Sequence, residues 1–184
     1  MNQAPPRAAL VALAGIVSGT LYALWVGYGT EALGRLGRSG GVLDDLTHHA
    51  GAGIFYAVFV GGVLHAAWKF EAWRWALWIV GAGISYAVAF NLAIQLYEPK
   101  VDWAIVNFLC GGAAGVVGAA LLGGFSAVLF RPLRHGRMVL AGAVFGGIVG
   151  LALPLALQSD AVWGWIAYFA LWQGAYAVAS TRLG

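Results

Sequence analysis

Six runs of about 20 apolar residues, each bounded by charge, constrain this chain more than any other feature. They cover 8–29, 50–68, 75–96, 103–128, 138–157 and 162–180. A helix of about 20 residues crosses the hydrocarbon core of a bilayer. In lipid every backbone polar group must find its partner inside the protein, so only helices and closed barrels span. The runs are continuous and do not alternate in ~10-residue segments, which excludes a β-barrel. The expectation is an all-α integral membrane protein of six transmembrane helices, a compact, glycine-rich bundle with short loops. Residues 1–184 then form a single transmembrane domain.

The composition removes the other classes. Hydrophobic residues make up 61% of the chain and charged ones 9%, against roughly a quarter charged in an ordinary soluble domain. Disorder needs the opposite balance. Cys110 is the only cysteine, so no disulfide framework holds the fold. The net charge of +3 comes from basic residues scattered through short breaks. No basic patch is large enough to follow a phosphate backbone, which excludes nucleic acid as a partner.

Orientation follows from the distribution of Lys and Arg, which favour cytoplasmic loops. Seven (Arg7, Lys69, Arg74, Arg131, Arg134, Arg137 and Arg182) fall on the side of the termini, and three (Arg35, Arg38 and Lys100) on the other. Both termini are therefore expected in the cytoplasm, with the protein multi-pass in the cell inner (plasma) membrane and the lipid bilayer its first partner. Six of the seven acids, Glu31, Asp44, Asp45, Glu98, Asp102 and Asp160, fall on the outer side. Trp68, Trp73, Trp75 and Trp78 bracket one inner break, and Trp25, Trp103, Trp163 and Trp165 lie near outer ends, as an interfacial belt requires. The first run ends in Trp25, Tyr28 and Glu31 rather than a small-residue cleavage site, so it reads as a retained helix. Pro154 is the proline inside a run and is expected to kink the fifth helix.

Small residues recur at every fourth position. The expected packing glycines are Gly15 and Gly19 on the first helix, Gly53 and Gly61 on the second, Gly111 and Gly115 on the fourth, and Gly142, Gly146 and Gly150 on the fifth. Lipid supplies no hydrophobic drive between helices, so association depends on close backbone approach over small side chains. Such ladders serve a tight bundle, or leave a face over for a second copy or another membrane subunit. Two octapeptides, GAGIFYAV from Gly51 to Val58 and GAGISYAV from Gly81 to Val88, match at seven of eight positions. A weaker similarity relates 49–95 to 110–156 at an offset of 61.

No Asp, Glu, Lys or Arg falls inside a run, although such residues usually mark ion and proton pathways in membranes. No nucleotide-binding, hydrolase-elbow or zinc-protease motif is present, so the chain is read as non-enzymatic. Two clusters remain. Asp44, Asp45, His48 and His49 stand one helical turn apart in pairs if the approach to the second helix is already helical. That spacing suits a divalent metal or a proton site, and equally a capped helix start. Asn91, Gln95 and Asn107 sit at outer depth, with Gln173 and Trp172 deeper as a possible floor. They read as interhelical glue or as the lining of an outward-facing polar cavity. A haem would need His65 and His135 as an inner pair. No cofactor is expected; haem and a divalent metal are the alternatives. The leading functional expectation is a protein that packs with itself or with partner subunits; a small-solute transporter or channel is the second, and a haem- or metal-binding protein the third.

Overall fold

The computed structural model describes residues 7–29, 42–96, 104–130, 136–159 and 161–182, with only the backbone for 42–47, 104 and 180–182. No strand occurs among them. Helix α1 (Ala8–Leu24) runs on into a π turn at Trp25–Gly29. It is followed by α2 (Val42–Trp68), α3 (Ala72–Leu96), α4 (Ala104–Leu129), α5 (Gly136–Gly150), α6 (Leu153–Leu157) and α7 (Val162–Arg182). Four segments, Ala8–Tyr28, His48–Trp68, Ala72–Leu96 and Ile105–Leu129, are long and apolar enough to cross a membrane. Large apolar side chains project outward around the bundle, among them Leu13, Val80, Val128, Leu140, Ile148 and Leu171, each more than half exposed. That is the surface of a membrane protein: lipid, not water, suits it.

Two boundaries differ from the sequence expectation. Helix α2 begins at Val42, eight residues before the apolar run at 50, so Asp44 and Asp45 lie within it. The fifth run is broken rather than kinked, which makes seven α-helices among the described residues. Pro154 has no N–H for the Gly150 carbonyl. The chain tightens instead: Ala152 N donates to Val149 O at 2.9 Å and Leu155 N to Ala152 O at 3.1 Å. Helix α6 restarts with the proline in its first turn, where a missing donor costs nothing.

The helices close a ring in chain order. Helix α1 packs on α2, α2 on α3, α3 on α4, α4 on α5, α5 on α7, and α7 back on α1. Small residues set the closest approaches. A Cβ placed on Gly15 would stand 2.5 Å from the Gln173 carbonyl oxygen, and one on Gly19 would overlap the Phe169 carbonyl. Gly115 and Gly146 face each other in the same way across α4 and α5, as do Gly111 and Gly150. Gly53 faces the Ala82 carbonyl, Gly61 the Trp75 and Trp78 rings, and Gly142 the Tyr176 ring. All nine glycines named above thus meet other helices of this chain. Of the glycines with described surroundings, Gly124 and Gly136 alone have nothing within 4 Å.

The two octapeptides lie against each other. Gly53 of the first abuts Ala82 and Tyr86 of the second, and a Cβ placed on Gly83 of the second would stand 3.3 Å from the Ile54 side chain. A similar small-residue face is used on both sides of one antiparallel seam, which gives the repeat a packing role.

The ends opposite His49 are tied off by polar contacts. Lys69 closes α2 in the left-handed region, φ 48°, its N–H donating to His65 O at 2.8 Å. Arg74 pairs with Glu71 at 2.5 Å and donates from Nη1 to Leu129 O at 3.0 Å. A cation at the last carbonyls of α4 is favoured by the helix dipole.

Candidate functional site

Inside the ring, toward the His49 end, the helices do not fill their interior. Helix α4 turns Gly111, Ala114, Gly115 and Gly118 inward, positions that share one helical face. These side chains are too small to reach across. Helix α7 presents Tyr168, Phe169 and Trp172 from the opposite side, and α3 supplies Tyr86, Ala89 and Phe90. Leu153, at the start of α6, completes the lining. A chamber of about 50 Å³ remains. A single water needs about 10–15 Å³ of such space, so this is room for roughly four.

The rings stand as walls at steep angles. Tyr86 and Trp172 have centroids 4.8 Å apart and planes at 72°; Tyr168 and Phe169 are at 5.2 Å and 76°. Beyond the chamber Trp172 stacks on Tyr176, 5.4 Å and 5°, and Tyr176 abuts Tyr56 at 5.9 Å. This aromatic column continues from the chamber toward the end away from His49. The Tyr86 ring lines the chamber while its hydroxyl is buried without a hydrogen-bond partner.

The four residues expected to line a polar cavity do not converge. Asn91 is exposed and donates from Nδ2 to Ala87 O of its own helix at 2.8 Å. Gln95 is exposed as well. Asn107 is buried, on the α4 face that carries Gly111, Ala114 and Gly118, one turn nearer the His49 end. Gln173 is fully buried but outside the lining: its Nε2 donates to Ala52 O at 3.0 Å and its Oε1 accepts from Ser18 Oγ. That link joins α1, α2 and α7. Trp172, expected beside it as a floor, lines the chamber.

The acidic and histidine cluster is placed in part. His49 leans on Phe90, ring centroids 5.5 Å apart, so its imidazole stands beside the α3 wall of the chamber. The His48 carbonyl accepts from Tyr22 Oη at 2.9 Å. Asp44 and Asp45 are helical and one turn before the histidines, but their side chains lie outside the described residues. Among the described residues no group of three or more His, Cys, Asp or Glu could hold a metal ion. His65 stacks on Trp75 at 5.6 Å and 15°, with Nδ1 buried and unpartnered. His135, its expected partner for a haem, lies outside the described residues.

The aromatic chamber is the feature that sequence reasoning missed. Its signal was present as Tyr168, Phe169 and Trp172 on one face of the last run, opposite a glycine face on the fourth. Nothing in the sequence said that those two faces meet. No protein-family model, curated protein or solved structure matches this chain.

Proposed function

We propose that the chain is a six-span, non-enzymatic protein of the inner (plasma) membrane, both termini cytoplasmic, that takes a small molecule from the outer face into the aromatic chamber, as a transporter or channel does. The observation that carries this reading is the chamber itself, an unfilled space between α3, α4, α6 and α7, with His49 beside its α3 wall and Asn107 one turn along α4 from Gly111. Six spans require that α5 and α6 cross together and that α7 cross alone. The outward, apolar Leu140, Ile148 and Leu171 suit lipid on both. Self-association through the glycine faces has less to rest on, because the nine packing glycines are occupied within the chain.

Thiol labelling tests it. In a Cys110→Ala background, Ala114→Cys places a thiol in the chamber wall, and Val116→Cys places one on the 42% exposed outer face of the same helix. A membrane-impermeant thiol reagent added outside should modify the first and leave the second, which lies in lipid, unreacted. No reaction at Ala114→Cys overturns the chamber as a ligand site; reaction only from the cytoplasmic side overturns the orientation.

A further inference from the structure

We infer that the chamber takes a small organic cation of the quaternary ammonium class; this rests on the chamber being a ligand site. The lining holds five aromatic rings and a single branched aliphatic, Leu153, in a chain that is 14% aromatic. A neutral apolar guest would be held as well by Leu, Val and Ile. This chain has many of them, and turns Leu13, Val80, Val128 and Leu171 outward instead.

Ring faces carry the negative part of the aromatic quadrupole and attract a cation within about 6 Å of the centroid. Walls at steep angles, Tyr86 with Trp172 and Tyr168 with Phe169, offer rings from more than one direction. The absence of other groups among the lining residues narrows the class. Among the described residues no carboxylate lines the chamber; a primary ammonium would find at most the Tyr86 and Tyr168 hydroxyls for its three N–H donors, and leaving a donor unpaired away from water is costly. A quaternary nitrogen has no N–H and spreads its charge over its methyl groups. Anions meet the same ring faces unfavourably. Among the described residues no Lys or Arg lines the space either; Arg7, Lys69, Arg74 and Arg137 sit at the opposite helix ends. Room for roughly four waters matches a trimethylammonium head.

The test is calorimetric titration of the full chain in mild detergent with three probes. These are choline, the neutral alcohol in which carbon replaces the choline nitrogen, and ethanolamine. Choline should bind at least tenfold more tightly than either of the others. Trp172→Leu should abolish that preference. Ala114→Leu, which fills the chamber from α4, should abolish choline binding while melting like the parent protein, and it covers the case in which Trp172→Leu does not fold. Equal or tighter binding of the neutral alcohol overturns the cation class and leaves the chamber standing. No choline binding by a protein whose Ala114→Cys variant reacts from outside does the same. An unreactive Ala114→Cys overturns both readings together.

Discussion

Replacing Gly115 by alanine adds one methyl group at the tightest part of the α4–α5 seam. The new Cβ would overlap the Gly146 carbonyl oxygen and stand 2.8 Å from the carbonyl carbon and 3.1 Å from Gly150 Cα. All three atoms are backbone, so no side-chain rotation relieves the clash. Helix α5 must back away. Bringing the 2.8 Å contact to an ordinary 3.4 Å takes at least 0.6 Å. A gap of 0.5–1 Å forfeits about a quarter to a half of each dispersion contact. The neighbouring Gly111–Gly150 and Gly146–Ala119 contacts open with it. Overpacking of this kind costs about 1–3 kcal/mol, here about 3 because the obstacle is backbone on both sides. Alanine regains about 1 kcal/mol in helix propensity, leaving a net loss of about 2 kcal/mol. Gly124→Ala is the internal control. It lies on the same helix with nothing within 4 Å, so it keeps the propensity gain and should stabilise by about 0.5–1 kcal/mol. Equilibrium unfolding in mixed micelles, titrated with a denaturing detergent, measures both. If the two variants fall within about 0.5 kcal/mol of each other, the steric reasoning is wrong.

Two further outcomes concern single residues. Lys69→Gly relieves a left-handed backbone at φ 48° and should stabilise the protein by about 1 kcal/mol; a loss of stability in the same unfolding assay contradicts that. Gln173→Leu removes the buried link between Ser18 and the Ala52 carbonyl and should cost about 1 kcal/mol, the usual scale for interhelical hydrogen bonds in membranes. Adding Ser18→Ala should then cost clearly less than it does alone, because the shared bond is already gone; full additivity in the double-mutant cycle defeats the proposed link.

Much of the site was hidden because polarity was the wrong guide to it. Asn91 and Asn107 look alike in the sequence. In the fold Asn91 bonds its own backbone on an exposed face, whereas Asn107 is buried on the face that leads to the chamber. Gln173 has the burial expected of a cavity floor, yet ties three helices together instead of lining space. Trp172 was legible only as a deep tryptophan. Its role depends on Tyr86, 86 places earlier in the chain and 4.8 Å away in space.

What the sequence determined by itself is the local physics. The run length and the charge at each break dictate helices, because lipid tolerates no unpaired backbone. Pro154 dictates an interruption, because it lacks an N–H. The fourfold spacing of glycine dictates that helix faces meet closely. Which faces meet is a different matter. A glycine stripe is compatible with any partner of suitable shape, and the closed order of the ring selects one. That choice puts Gly115 against Gly146 and Gly111 against Gly150, where the backbones touch, and sets Ala114 in one lining with Tyr168, Phe169 and Trp172. Small residues facing rings across the ring's interior leave space, and small residues facing small ones close it. That difference belongs to pairs of helices, so no single helix's sequence contains it.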